Sequence, residues 1–323
     1  IFLGGLAVVH RYFEDIAPPM RTPERFRSRA QVLLWALAGL GILVTLLGQV
    51  FSGREYLGFH PSLSILIAMG WMLFAFNAIG HFRRGFFSRP VFIFMWTISL
   101  FFFLYTFAEQ YAWLLGRVFN DPILDLRLQW KATGTLVGSF NLLVYGSLYY
   151  IGIKRTGDER PLHSNLAYAL FAVGLLNSFT NFGHHTYHLP QSHLVKWVSF
   201  VISMTEIIIL TRVVWDITAS ISRQSQRAAQ NTSSQSHMPS RDATELFMRS
   251  AKWWTAWILA SALVISIPPL NALIHGTTAV MGHAMGAEIG IDSMILFAAL
   301  TWIISDSATR RGIDASVLRS RSL

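Results

Sequence analysis

Cysteine is absent from this 323-residue sequence. Its absence excludes disulfides, thiolate haem ligation, iron–sulfur clusters, covalent haem attachment through C-x-x-C-H and a dinuclear copper centre with bridging thiolates. Any electrons the chain handles must therefore arrive from a partner or a diffusible donor. Charge is scarce too. Only 13% of residues are charged, where a soluble domain carries about 25%. No Walker loop, dinucleotide fingerprint after a strand, or Ser-His-Asp arrangement at helical spacing is found, and neither is an internal repeat or a complete signal peptide.

What the chain has in quantity is apolar sequence, 53% of the whole. Apolar runs of roughly 20 residues recur, the length a helix needs to cross the hydrocarbon core. Inside a bilayer each backbone group must be satisfied within its own segment, which favours helices. The fold class expected is all-α, a polytopic transmembrane helix bundle of about eight spans, at residues 31–51, 60–82, 90–116, 132–153, 165–185, 195–216, 253–267 and 277–304.

The organisation that follows is an N-terminal cytoplasmic or interfacial segment at 1–30 and six spans within 31–216. A cytoplasmic linker at 217–250 leads to the last two spans and a basic tail at 251–323. The opening "IFLGGLAVV" is too short to span. It reads as the tail of a helix cut short or as an interfacial anchor. The Ser/Gln-rich stretch 222–245 reads as a mobile linker, and its "NTS" at 231–233 as a chance glycosylation match.

The net charge of +9 raises the question of nucleic acid. Assigning the loops alternately to two sides answers it. Twenty of the 26 Lys and Arg residues then fall on one side, five on the other, with Arg212 inside a span. This is the positive-inside pattern of a cell (inner) membrane protein with both termini in the cytoplasm. It explains the basic balance without a nucleic-acid partner.

Eleven histidines are present. His10, His81, His163 and His237 fall in or near cytoplasmic loops and read as bland. His60 opens the second span, His184 and His185 close the fifth, and His283 lies in the eighth with His275 just before it. His188 and His193 belong to an outer loop. Polar side chains inside a membrane are costly and face the bundle interior, and imidazole is the commonest metal ligand. One interfacial histidine alone simply meets water. His60, His184, His185 and His283, from three spans at one depth, point to metal or haem. Residues 283 and 285 lie about 200° apart on a helix, so His283 and Met285 address sites on opposite sides.

Four stretches carry a family resemblance: "FHPSLSILIAMGWMLFAFNAIG" (59–80), "GHH" (183–185), "SFVISMTEIIIL" (199–210) and "IHGTTAVMGHAMG" (274–286). Together they resemble the haem–copper oxidase superfamily, most closely the large (cytochrome b) subunit of nitric oxide reductase. The resemblance runs over 55–305 and is strongest from 137 to 305. It implies that His283 ligates a high-spin haem, that His60 and Met285 ligate a low-spin haem, and that His275 lies by the haem propionates. It also implies a non-haem metal on His184 and His185, with Glu206 in a catalytic role near the active site or its proton path. The implied cofactors are one or two b-type haems and non-haem iron or copper. The implied partners are membrane lipid, a cytochrome c or quinol donor and other respiratory subunits.

The sequence also departs from the family pattern. Met285 replaces a histidine of the haem line, either as a ligand or as packing. The third histidine of the non-haem metal would fall at Thr133. Val137 stands where reductases carry Glu and oxidases Tyr, and Asn141 where a further Glu is usual. Two functional readings stay open: a catalytic subunit reducing NO (or O2), and a non-catalytic haem-binding electron relay or scaffold with a degenerate binuclear site. Glu288 and Asp292, four residues apart on one helix face, read as a proton relay or as a hydrogen-bonded polar pair.

Overall fold

The computed structural model describes residues 1–15, 20–54, 57–83, 85–231 and 242–313. His237, Arg84, Arg241, Arg319 and Arg321, most of the "NTS" match and the 232–241 part of the expected linker lie outside them.

Among the described residues the elements are helices: α1 Phe2–Asp15, α2 Thr22–Leu47, α3 Leu63–Phe82, α4 Val91–Glu109, α5 Pro122–Thr156, α6 Asn165–Thr180, the single turn α7 Phe182–His185, α8 His193–Asn231, α9 Ala243–Ile265, α10 Pro268–Ile274, α11 Thr278–Met285 and α12 Ser293–Arg310. A π-helical stretch, Gly286–Asp292, joins α11 to α12. Each apolar run expected to span has its helix, but two of the eight differ from a simple span. The fifth, α6, has 16 residues and is extended only through Asn181 into α7. The seventh is bent by 94° between α9 and α10. Pro268 and Pro269 cause the bend, because proline disfavours helical backbone in the residue before it, and Ile267 is accordingly extended. Among the described residues, six helices are long and apolar enough to cross a membrane, seven if the bent pair is one span.

Tryptophan indoles tie neighbouring helices together. Trp35 donates to the Ile67 carbonyl at 3.2 Å, Trp71 to Leu100 at 3.2 Å and Trp96 to Leu143 at 3.1 Å, linking α2 to α3, α3 to α4 and α4 to α5 in turn. Such bonds satisfy an N–H that apolar surroundings would otherwise strand. α5 runs through the middle of the bundle and is buried along most of its apolar length.

Two expectations change. The N-terminal segment does not rest on a surface: α1 buries Leu6, Val8, Val9, Arg11 and Phe13 against the bundle. Arg11 is 5% exposed and pairs with Asp15 and with Asp306 of α12, its guanidinium 5.6 Å from the Trp302 ring centre. The described part of the 217–250 segment is helix rather than loop. α8 continues to Asn231, and α9 starts at a cap where the Asp242 carboxylate accepts the Glu245 N–H at 2.9 Å. Thr218 and Ser222 of α8 bond to Met248 and Glu245 of α9.

Candidate metal centre

The functional side chains converge from seven elements. On α5, Val137, Asn141 and Tyr145 recur every four residues and so share one face. Asn177 and Asn181 do the same on α6 and lead into His184 and His185 on α7. Ser203 and Glu206 come from α8, Ile258 from α9, and His283, Glu288 and Asp292 from α11 and the π segment. All of these line one cavity of about 170 Å³. The sequence-predicted His184, His185, His283 and Glu206 are thus brought together, and so are Glu288 and Asp292.

The π segment explains the last grouping. His283 and Asp292 are nine residues apart, which on a regular α-helix is about half a turn out of phase. A run of i→i+5 bonds advances less per residue, and both side chains reach the same cavity. Asp292 is 6% exposed, and neither its carboxylate nor that of Glu288 accepts a hydrogen bond among the described residues. They are not the hydrogen-bonded pair that was one reading of the sequence.

A polar chain runs along the cavity wall. Tyr145 donates to Glu206 Oε1 at 2.8 Å, and the Asn177 amide N–H donates to Glu206 Oε2. Ser203 donates to Asn177 Oδ1 at 3.0 Å and lies 3.0 Å from His184 Nδ1. A serine hydroxyl has a single proton. With that proton on Asn177, Ser203 accepts from His184, which fixes the N–H on Nδ1 and leaves Nε2 with its lone pair. The same argument fixes His283: Ser261 donates to the Ile258 carbonyl at 3.1 Å and lies 3.0 Å from His283 Nδ1. Such partners set the tautomer and orientation of metal-binding imidazoles. His185 Nε2 is buried without a partner.

Other residues singled out in the sequence lie elsewhere. His60 is exposed, and its Nδ1 faces Ser62 Oγ at 2.8 Å. It lines neither this cavity nor the next, and no contact among the described residues joins it to Met285. Thr133 does not face the histidines; its hydroxyl accepts from Gln110 at 2.8 Å. The next residue of α5, Gly134, packs directly on α7. A Cβ placed there would stand 3.0 Å from the Phe182 backbone and 3.2 Å from His185 Cδ2. The close approach of α7 to α5 is therefore made at the smallest residue. Asn181 donates to the Gly134 carbonyl at 3.0 Å, drawing α7 onto α5.

Outside the cavity, His188 and His275 stack with ring centres 4.0 Å apart, and Trp130 lies 6.3 Å from His185 and from His275. Burial holds both imidazoles below the ordinary histidine pKa, helped at His188 by His275 and Lys196. His275 Nδ1 is 3.1 Å from Asn271 Oδ1. A second, apolar cavity of about 370 Å³ lies between α1 to α5, and Val137 and Glu288 line both spaces.

The arrangement places imidazoles from two helical segments on the wall of one cavity in a membrane bundle. The family described as Cytochrome C and Quinol oxidase polypeptide I matches residues 6–317. The chain belongs to this family. No curated protein matches it. Membership of this haem–copper oxidase family fits the all-α, multi-pass bundle and the respiratory setting.

The residues can be tested against the groups the family carries. His283, with Nδ1 engaged by Ser261, is the residue whose Nε2 would hold a haem iron. His184 and the partnerless His185 nitrogen fit a second metal, but among the described residues no group of three or more His, Cys, Asp or Glu side chains is placed to hold an ion. His60 is exposed and Met285 half-buried, and neither lines the histidine cavity. Tyr145, Asn177, Ser203 and Ser261 were not singled out from the sequence. The four-residue spacing of Val137, Asn141 and Tyr145 was the signal available for the first of them.

Proposed function

We propose that this chain is the haem-bearing subunit of a respiratory complex that reduces nitric oxide to nitrous oxide. The observation carrying this reading is the convergence of His184, His185, His283 and Glu206 on one cavity, with Nε2 of His184 and of His283 left free as a base. A b-type haem iron on His283 and non-haem iron or copper on His184 and His185 would supply electron storage and Lewis acidity when bound.

The chain's own residues do the rest. Ser203 and Ser261 hold two imidazoles in the ligating tautomer. Glu206, hydrogen-bonded to Tyr145 and Asn177, holds a proton at its carboxyl within two hydrogen bonds of Ser203. Glu288 and Asp292, whose carboxyls accept no hydrogen bond among the described residues, are the further groups at the cavity wall able to carry protons. Coupling two NO molecules consumes two electrons and two protons and releases nitrous oxide and water, so proton-holding groups beside the metals serve the reaction directly. Val137, Leu210, Ile258 and Ala262 keep the remaining wall apolar. Electrons come from a cytochrome c or quinol donor, since the cysteine-free chain holds no thiolate-bound centre to supply them. The charge bias supports a cell (inner) membrane location with both termini cytoplasmic.

One observation favours a second reading, a haem-binding electron relay or scaffold with a degenerate binuclear site. Gly134 supplies no third ligand, and two imidazoles alone hold a divalent metal weakly.

Optical spectra with iron and copper analysis of the purified protein, before and after NO or CO, separate the two. Haem with ligand binding and additional metal supports catalysis. Haem without additional metal supports the relay. Absence of haem rejects both readings.

A further inference from the structure

Away from the histidines, a shallow groove of about 430 Å³ runs between α8 and α9. Lys252 stands in it. Its ammonium lies 4.1 Å from the Trp215 ring centre and 5.6 Å from that of Trp253, and forms no ion pair among the described residues. Across the groove, Arg212 uses Nε to bind Asp216 at 2.8 Å and is 71% exposed, so its two terminal amino groups stay open. Asp216 is the one carboxylate on the groove, and Arg212 already engages it. Arg212 is also the one cation the sequence places inside a span, where an unneutralised charge is costly.

The surroundings give the groove a direction. Just beyond it, Thr218 bonds to Met248, and Ser222 to Glu245 and Arg249, at the polar end of the helix pair. In the other direction Ile208 and Val201, seven residues apart on one face of α8, are 51% and 58% exposed. Two cations and a pair of tryptophans therefore sit at the boundary between a polar end and an apolar stripe. Tryptophan favours that level of a bilayer, and basic pockets between transmembrane helices suit anionic head groups.

We infer that the α8–α9 groove is a binding site for an anionic phospholipid. Its phosphodiester is held by Lys252 and the open face of the Arg212 guanidinium. Its glycerol region packs on Trp215, and an acyl chain lies along Ile208 and Val201. The shared chemistry is phosphate; the apolar stripe selects a lipid over a free anion.

Native mass spectrometry of the full chain tests this, comparing retention of dioleoylphosphatidylglycerol, dioleoylphosphatidylcholine and inorganic phosphate. Retention of phosphatidylglycerol should fall roughly 5-fold for each cation removed in Arg212→Gln and Lys252→Gln. It should survive in Lys252→Arg and stay unchanged in Arg160→Gln, a surface charge elsewhere. Both groove variants alter exposed or half-exposed side chains, and an unchanged thermal unfolding profile would show them folded. Equal retention of phosphatidylcholine, an equal loss in Arg160→Gln, or displacement by inorganic phosphate at matched concentration would overturn the proposal.

Discussion

Ser203 Oγ lies 3.0 Å from His184 Nδ1, and the same oxygen donates to Asn177 at 3.0 Å. One hydroxyl thus connects the glutamate side of the cavity to an imidazole that carries the metal in the proposed reading. In Ser203→Ala, His184 loses the acceptor that fixes its tautomer. Removing a partner of this kind typically lowers metal affinity roughly 10- to 100-fold. The expected outcome is loss of non-haem metal with haem retained, measured as the metal-to-haem ratio of purified protein.

Gly134 sets how closely α7 approaches α5. Alanine in a helix interior is ordinarily favoured over glycine by up to about 1 kcal/mol. Here the added Cβ meets backbone atoms of Phe182 at 3.0 Å, and backbone cannot swing aside as a side-chain tip can. Gly134→Ala should therefore cost about 1–3 kcal/mol and displace His185. Gly39→Ala on α2, with nothing within 4 Å of its added carbon, should be neutral or mildly stabilising. Thermal unfolding of the two variants checks the contrast.

Arg11 and Arg310 make a second contrast. Arg11 is 5% exposed and meets Asp15 and Asp306. Replacing it with methionine leaves carboxylates with reduced compensation, at about 3 kcal/mol. Arg310 contacts the same two acids but is 57% exposed, so Arg310→Gln should stay within about 0.5 kcal/mol. A smaller loss at Arg11 than at Arg310, read by thermal melts, would refute the role given to α1.

His188 and His275 both titrate below the ordinary value of 6.5, through burial first. Each stays neutral in the fold when the unfolded chain has begun to bind protons. The pair is therefore without cost above pH 6.5, and its cost grows as pH falls from there through the folded values. Melting temperature should drop on acidification over that interval, and drop less in His188→Gln. The same slope in both proteins would exclude the pair as its source.

Much of the fold was legible in long apolar runs, because length and hydropathy are local properties. The role of α1 was not. Its apolar stretch is short, and its burial depends on Arg11 reaching Asp306, 295 residues away. The motifs around His184, His185, His283 and Glu206 led to one cavity. His60 shared their depth in the sequence but lies exposed before α3 begins at Leu63, outside the helix whose packing would have turned it inward. Thr133 and Gly134 differ by one residue, which on a helix is about 100° of rotation, enough to exchange close contact with α7 for a bond to Gln110.

The π-helical stretch Gly286–Asp292 has a consequence for the chain's tolerance to deletion. It behaves as a phase shifter between two otherwise regular rods. His283 is keyed to Ser261 on one side of it, and Trp302 and Asp306 are keyed to α1 on the other. Shortening the stretch by one residue would restore a uniform pitch while turning one rod against the other. The chain would then hold either its imidazole or its N-terminal helix in register, but not both.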